Sequence, residues 1–305
     1  MESYVRADVL LLGVDGGGTA CRARLTDCEG AILGEGVAGP ANIRFGLTES
    51  FSAVLVAAGQ CLEQAGLSFN DRRIVACLAL AGVSDPIDVA AVQSYAHPFF
   101  EVIITSDARS ACVGAHAGED GAIIIVGTGS VGWAIIAGRD FRVGGWGFPV
   151  SDEGSGAWLG CEAVRRVLWA QDGLIDWTSS LRRIFERFGS DPHAIVRWTS
   201  TARPRDFGTL APIIAEAALQ DDPVARELML LAAQHINLIA ARLIGLGVSR
   251  LSLMGGLATE IAPFLSDQAK SVLVRPAGDA LSGALRLARL VAQRLMMKAH
   301  SATAT

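Results

Sequence analysis

Gly13-Val14-Asp15-Gly16-Gly17-Gly18-Thr19 closes an apolar run that begins at Val9. A continuous apolar run that ends in glycines is typical of a strand buried on both faces of a sheet. A glycine turn directly after such a strand lets backbone N–H groups converge on a phosphate. The carboxylate of Asp15 would repel a bare anion, so the pattern favours a site where Mg²⁺ lies between Asp15 and phosphate groups. The alternative is that Asp15 is a simple turn residue before the glycines.

Two more glycine turns follow apolar strands later in the chain. Gly127-Thr128-Gly129-Ser130 follows the predicted strand Ala122–Val126, and Gly255-Gly256 follows Arg250–Met254. Both halves of the chain open with a strand, a glycine-threonine turn and a second strand, and this pattern restarts near residue 120. We therefore predict an α/β chain with two domains, 1–119 and 120–305. The second carries helical insertions, and its last helix could pack back on the first domain.

Helix starts are predicted from capping residues that precede helical apolar spacing. Thr48 is expected to cap a helix, and Asp85 and Asp222 each precede a proline that suits the first helical turn. Asp107 follows the predicted strand Glu101–Thr105, so it could cap a helix or point a carboxylate out from the end of the strand. Asp152-Glu153 presents the same choice between a cap and a functional pair.

Length, composition and charge limit the class of protein. The 305 residues suit two domains, and the 51% hydrophobic content excludes a disordered chain. A net charge of −5 argues against a nucleic-acid partner, which needs a basic surface. The N-terminus does not resemble a secretory signal, and the uncharged stretch 121–138 is better explained by two strands than by a membrane span. We expect a cytoplasmic protein without structural zinc, because the six cysteines form no metal-binding pattern.

The scarcity of lysine excludes two kinds of phosphate-binding site. Only Lys270 and Lys298 occur, so the chain has no Walker A loop and no strand lysine of the protein-kinase type. The stretch 127–132 does match the glycine spacing of a nicotinamide-binding fold. That fold requires a long helix after the glycines, whereas 133–138 is rich in β-forming residues, so nicotinamide binding is kept only as an alternative.

Three motifs, in this order, resemble those of the actin/hexokinase/Hsp70 ATPase superfamily. Residues 13–19 are similar to its first phosphate motif, 126–130 to its second, and 254–257 to its adenosine motif. The chain most resembles the N-acetylglucosamine kinase branch, grouped with the BadF/BadG/BcrA/BcrD ATPases, through Thr105-Ser106-Asp107-Ala108, Gly144-Gly145-Trp146-Gly147 and Ser151-Asp152-Glu153-Gly154-Ser155. The resemblance covers residues from about 10 to 290. It implies two RNase-H-like (actin-like ATPase) domains, with ATP and a sugar in the cleft between them.

The resemblance also implies a role for each matching residue. Asp107 is expected to be the general base that accepts the proton of the sugar 6-hydroxyl, and Asp15 is expected to organise Mg²⁺. The residues expected to bind ATP and its phosphates are Asp15, Gly17, Gly18, Thr19, Gly127, Thr128, Gly129, Gly255 and Gly256. Those expected to bind the sugar are Asn42, Asp107, Ser130, Gly145, Trp146, Gly147 and Asp152.

The resulting hypothesis is an ATP- and Mg²⁺-dependent kinase that phosphorylates the 6-hydroxyl of N-acetylglucosamine. Glucosamine is an alternative substrate, because no residue identified from the sequence recognises the acetyl group. Another alternative is an ATPase that activates a reductase or dehydratase, although Cys112 and Cys161 are isolated rather than paired as an iron–sulfur cluster would need. A third is a sugar-responsive regulator without catalysis. We expect a homodimer with an aminosugar substrate and no nucleic-acid or membrane partner.

Overall fold

The computed structural model describes residues 9–303, with side-chain surroundings for 9–298. The chain divides into two compact units. Unit 1 comprises the residues up to Asp120 together with those from Pro276 onward, and unit 2 is Gly121–Arg275. The sequence prediction had assigned 120–305 to the second domain, with a last helix able to return to the first. In the structure the whole segment after Arg275 groups with unit 1.

Each unit is built on one mixed sheet. The strands of unit 1 are β1 (Val9–Gly16), β2 (Cys21–Thr26), β3 (Ile32–Ala38), β4 (Arg73–Leu80) and β5 (Glu101–Thr105), in the order β3-β2-β1-β4-β5. Those of unit 2 are β6 (Gly121–Val126), β7 (Ser130–Ile136), β8 (Arg139–Gly144) and β9 (Leu251–Met254), in the order β8-β7-β6-β9. In each sheet the first three strands form an antiparallel meander and later strands add in parallel on the other side. The repeated pattern in the sequence thus corresponds to a repeated strand arrangement.

The helices lie mainly between the strands and in one long insertion. They are α1 (Leu47–Gln64), α2 (Pro86–Gln93), α3 (Asp107–Ala115), α4 (Gly156–Gln171), α5 (Ser179–Glu186), α6 (Pro192–Thr199), α7 (Pro204–Gly208), α8 (Ala211–Leu219), α9 (Pro223–Gly245), α10 (Ala258–Ile261), α11 (Asp267–Ser271) and α12 (Ala280–Thr303). Short 3₁₀ turns occupy Ile43–Phe45 and Ala262–Phe264. Helices α4 to α9 form the predicted helical insertion between β8 and β9.

The helix caps confirm two sequence predictions, correct a third and decide one open alternative. Asp85 and Asp222 cap α2 and α9, each with proline in the first turn. Thr48 does not cap α1, because the helix already starts at Leu47 and Gly46 occupies the cap position with a φ of 126°. The cap of α4 is Ser155 rather than Asp152-Glu153, because its hydroxyl accepts the N–H of Trp158.

The sheet of unit 1 is buried on both faces, which explains the continuous apolar run of β1. Residues such as Leu12 and Val14 pack in one core with Phe51 and Val54 of α1. On the opposite face, a second core combines strand and C-terminal helix residues: Val9, Leu11, Val75, Cys77, Ala284, Ala288 and Ala292. The last helix of the chain therefore completes the unit that contains the first strand.

Glycines allow α3 and α12 to approach at backbone distance. A Cβ placed on Gly283 would lie 1.8 Å from the carbonyl oxygen of Ser110, and one on Gly114 would lie 2.0 Å from that of Asp279. The Ser110 hydroxyl donates a hydrogen bond to the carbonyl of Ala280 at 2.8 Å. Neither glycine position leaves room for a side chain, so this crossing needs glycine on both helices.

Helix α9 is long and apolar enough to cross a membrane by length and composition. In unit 2, however, its inward residues Leu228, Ala232, Ile236 and Leu243 are buried in the core beneath the sheet. Packing in that core accounts for the apolar residues on the inward side of the helix, whereas Leu230 and Leu238 are exposed. The uncharged stretch 121–138 forms β6 and β7, as the sequence predicted.

Candidate functional site

Asp15 lies at the carboxyl end of β1, where the first glycine turn begins. Strand β1 pairs in parallel with β4, and Asp15 faces Arg22 across the antiparallel pair β1–β2. The turn closes through a hydrogen bond from the N–H of Gly17 to the carbonyl of Ala20, at 2.9 Å. Thr19, at the tip of this turn, is exposed. The motif thus presents a carboxylate, a hydroxyl and an open turn at one edge of the sheet.

Asn42 lies beside this turn. A Cβ built on Gly18 would be 4.0 Å from the amide nitrogen of Asn42, and one on Gly82 would be 2.6 Å from its amide oxygen. The same oxygen accepts the N–H of Arg44 at 2.9 Å, which fixes the side chain at the start of a 3₁₀ turn. The structure therefore brings Asn42 next to the predicted phosphate-binding glycines.

Arg22 is a site residue that the sequence reasoning missed. Its guanidinium holds one oxygen of the Asp15 carboxylate at 2.5 Å and 3.2 Å and lies 3.7 Å from Asp279. The hydrogen bond to Asp15 raises the pKa of Arg22 above its ordinary value. The sequence did carry one signal for this contact. Side chains alternate along β2, and its second residue, Arg22, is paired with Asp15 and lies on the same face of the sheet.

Asp107 is the first residue of α3 and directly follows Ser106 at the end of β5. The helix cap is Ser106, whose hydroxyl accepts the N–H of Arg109 at 3.1 Å. This corrects the alternative in which Asp107 is the cap. One oxygen of Asp107 accepts the N–H of Ala108 at 2.8 Å.

The acids Asp15 and Asp107 share one edge of the sheet of unit 1. Asp15 pairs with Ala79 of β4, and Ala79 pairs with Thr105 of β5, all in parallel strands. Two strand spacings separate the backbones by about 10 Å. The carboxyl ends of parallel strands are where α/β sheets bind ligands.

The second glycine turn joins β6 to β7 as an antiparallel hairpin. A strand therefore follows Gly127-Thr128-Gly129 where a nicotinamide-binding fold would have a helix, which excludes that alternative. The carbonyls of Gly127 and Thr128 accept the N–H groups of Gly156 and Ala157 at the start of α4, at 2.8 and 3.1 Å. Within the described part of the chain, the N–H groups of Thr128 and Gly129 have no hydrogen-bond acceptor, so they can serve a phosphate.

Asp152 packs directly against this turn. A Cβ on Gly129 would lie 2.7 Å from its carboxylate, and the Ser130 hydroxyl donates to the carbonyl of Glu153 at 2.8 Å. Asp152 has a φ of 67°, and its carboxylate accepts the N–H of Phe148 at 3.1 Å. Burial is the main influence on this carboxyl group and raises its pKa. The structure thus brings Gly129, Ser130 and Asp152 together.

The segment at the end of β8 carries an exposed aromatic ring between glycines. Gly144, Gly145 and Gly147 have φ values of 70°, 71° and 102°. Trp146 is 76% exposed, so it is not a core residue, and the guanidinium of Arg142 lies 4.3 Å from the centre of its ring. The same guanidinium donates to the carbonyls of Gly144 and Gly145, so Arg142 holds the loop and covers one face of the exposed ring.

The third glycine turn lies beside the second through the parallel pairing of β6 with β9. Gly255 has a φ of 97°, and a Cβ there would lie 2.4 Å from the carbonyl of Val126. That carbonyl accepts the N–H of Leu257 at 2.9 Å. Gly256 is exposed with open space around it. The predicted site residues thus form one group on each unit, each gathered at the end of a strand.

We expect Asp152→Asn to change how stability depends on pH. A carboxyl whose folded pKa is raised above 3.8 contributes full stability at lower pH and loses it as pH rises through the raised value. Asparagine does not titrate, tolerates positive φ and can still accept the N–H of Phe148. The difference in the free energy of unfolding, variant minus wild type, should therefore increase as pH rises from about 4 to about 7. Urea denaturation at several pH values measures this, and a constant difference would contradict it.

Comparison with known proteins supports the same fold and places the chain in a family. Residues 12–287 match the BadF/BadG/BcrA/BcrD ATPase family. The chain is similar to the glucosamine kinase GspK of Vibrio cholerae, with 41% identity over 278 residues that cover 91% of this chain and 95% of the relative. A crystal structure of a candidate N-acetylglucosamine kinase from Chromobacterium violaceum has a TM-score of 0.86 at 34% identity, covering 92% of this chain and 98% of that one.

A more distant structure extends the likeness in fold alone. A ROK family glucokinase from Streptomyces griseus has a TM-score of 0.55 at 19% identity, covering 92% of this chain and 99% of that chain. The two mixed sheets are those of the actin-like ATPases, which confirms the predicted fold class. Since the family match covers most of the sequence, the chain belongs to the BadF/BadG/BcrA/BcrD ATPase family.

Proposed function

We propose that this protein transfers the γ-phosphoryl group of ATP to the 6-hydroxyl of an aminosugar, with glucosamine as the preferred substrate. The chain is an ATP-dependent sugar phosphotransferase of the hexosamine type. The observation that carries the proposal is the placement of Asp107 on the same sheet edge as Asp15 and its glycine turn. The sequence alone favoured N-acetylglucosamine. We propose glucosamine instead, because the chain is 41% identical to a glucosamine kinase.

Phosphoryl transfer is catalysed mainly by positioning the reactants and by stabilising the charge of the transition state. The oxygen of the sugar hydroxyl attacks the γ-phosphorus, the bond to the β–γ bridging oxygen breaks, and ADP leaves. Asp107 accepts the hydroxyl proton, because a carboxylate at the end of β5 can reach a hydroxyl held at that edge. On unit 2, the N–H groups of Thr128 and Gly129 bind phosphate oxygens. Asn42, Ser130, Asp152 and the 145–147 loop bind sugar hydroxyls.

Mg²⁺ fits the donor set at Asp15. The described residues contain no group of three or more His, Cys, Asp or Glu side chains that could hold a metal. Mg²⁺ needs no such group, because it commonly binds one or two carboxylates together with phosphate oxygens and water. When bound, the ion would neutralise phosphate charge, and Asp15 is the carboxylate that would hold it. We also propose that the protein is cytoplasmic and forms a homodimer.

The test is an ADP-release assay with glucosamine, N-acetylglucosamine, glucose and no sugar. We expect aminosugars to raise the rate at least about 10-fold over the sugar-free reaction, because water is a poorly positioned competitor. Glucosamine should give the highest kcat/KM. If no sugar stimulates ADP release, the kinase proposal fails. If N-acetylglucosamine gives the higher kcat/KM, only the choice of substrate fails.

A further inference from the structure

A cavity of about 250 Å³ opens on unit 1 at a distance from the first glycine turn. Its lining comes from β2, the β2–β3 turn and α12: Arg24, Thr26, Gly30, Ile32, Ser282, Leu285, Arg286 and Arg289. In the sheet, Asp15 pairs with Arg22, whereas Thr26 pairs with Leu11. Four residues along a strand correspond to about 13 Å, so the cavity is separate from the proposed phosphate-binding turn.

Three arginines line this cavity, and two of them have no counter-ion in the part of the chain that the structure describes. Arg24 is held by Glu35 at 2.7 Å. Arg286 and Arg289 form no ion pair with any residue that the structure describes, and the buried Nε of Arg289 has no hydrogen-bond acceptor there. Unpaired guanidinium groups on one wall leave a local excess of positive charge in an acidic protein.

Gly30 keeps the space that the Arg289 guanidinium occupies. A Cβ on Gly30 would lie 2.9 Å from a terminal nitrogen of Arg289, and its φ of 102° disfavours any side chain. The carboxylate of Asp27 accepts the N–H groups of Gly30 and Ala31 at 2.7 and 2.8 Å. These bonds fix the β2–β3 turn, so the arginine is held against a rigid backbone.

A second observation points independently to a ligand. Thr26 is only 3% exposed and lies in the wall of the same cavity, and its buried hydroxyl has no hydrogen-bond partner among the described residues. Buried hydroxyl groups in native proteins are almost always hydrogen-bonded, so an unpaired one next to a cavity indicates a missing acceptor. A hydroxyl and two guanidinium groups together offer more donors than one carboxylate can accept.

We propose that this cavity binds a phosphate-type dianion, either inorganic phosphate or the phosphate group of a small phosphomonoester. Arg286 and Arg289 would each donate to phosphate oxygens, and the Thr26 hydroxyl would donate to a third. The cavity volume leaves room for an organic group beside the phosphate. This proposal does not depend on the sugar kinase proposal, because its residues lie outside the predicted site.

The test is isothermal titration of inorganic phosphate, and separately of a sugar 6-phosphate, into protein saturated with AMPPNP. The nucleotide occupies the other phosphate-binding groups, so binding of inorganic phosphate reports this cavity, and binding of the sugar phosphate reports it only as far as Arg286→Gln weakens that binding. We expect Arg286→Gln to weaken phosphate binding at least about 10-fold, because it removes a charge-assisted contact. Arg286 is exposed, so this variant should fold normally. Thr26→Val should also weaken binding while preserving side-chain shape.

The matched control is Arg294→Gln, which removes the same charge from an exposed position on α12 that does not line the cavity. Its phosphate affinity should equal that of the wild type. A sugar phosphate that binds more tightly than inorganic phosphate identifies the organic source, and equal affinities identify the free ion. The proposal is overturned if the nucleotide-saturated wild type does not bind phosphate, or if all three variants bind it equally.

Discussion

Asp107→Asn is expected to lower kcat for aminosugar phosphorylation by about 10²–10⁴, the range that removal of a general base produces. This loss corresponds to about 3–5 kcal/mol of transition-state stabilisation. The amide keeps an oxygen for the N–H of Ala108, and Ser106 remains the helix cap, so these two hydrogen bonds should still hold the start of α3. Steady-state kinetics with the preferred sugar, together with thermal unfolding, measure both effects.

Asp85→Asn is the matched control for this variant. Asp85 also lies before a helix, but its carboxylate caps α2 by accepting the N–H of Asp88 at 2.9 Å. Asparagine caps helices nearly as well, so this variant should keep full activity. Full activity of Asp107→Asn would remove Asp107 as the base while leaving the kinase proposal intact. Equal loss in both variants would show an effect on folding rather than on proton transfer.

Gly283→Ala is expected to lower the free energy of unfolding by about 3 kcal/mol or more, because it overpacks a backbone contact. The added methyl carbon would lie 1.8 Å from the carbonyl oxygen of Ser110, so α3 and α12 must move apart. That movement also strains the hydrogen bond from Ser110 to Ala280. The higher helix propensity of alanine relative to glycine offsets only about 1 kcal/mol of this loss. Urea denaturation of the pure protein measures the balance.

Gly59→Ala provides the control in the same unit. Gly59 lies inside α1, and a Cβ there would meet nothing within 4 Å. The substitution should therefore stabilise the protein by up to about 1 kcal/mol, through helix propensity and a less flexible unfolded chain. If Gly283→Ala were equally stabilising, the close approach of the two helices would be wrong.

The strands were predictable because their local signals are strong. β5 has the predicted bounds, and β6 and β9 each start within one residue of the predicted position. β1 runs to Gly16, so that Asp15 belongs to the strand. The start of α1 was wrong because the chain enters it through Gly46, whose φ of 126° no capping rule anticipates. The choice at Asp152-Glu153 stayed open because 151–155 contains several residues that can cap a helix, and only the three-dimensional turn selects Ser155.

Some residues of the candidate site could likewise be predicted from the sequence, and others could not. Asp15 and Asp107 could be placed from the sequence because both follow directly on strands whose carboxyl ends meet at one edge. Arg22 was missed because its contact with Asp15 depends on the register of a hairpin rather than on a motif. The cavity arginines could not be foreseen either, since Arg24 and Arg289 meet only when α12 returns to unit 1.

The position of α12 also affects how this chain can fold during synthesis. Val9, Leu11 and their neighbours are synthesised before unit 2, but the helix that covers them is synthesised after it. All of unit 2 is translated while one apolar face of the first sheet is still uncovered. Exposed apolar surface on an incomplete domain promotes aggregation and chaperone binding. Loss of α12, by a premature stop or by proteolysis, would therefore uncover strands β1 and β4, which lie far from it in the sequence.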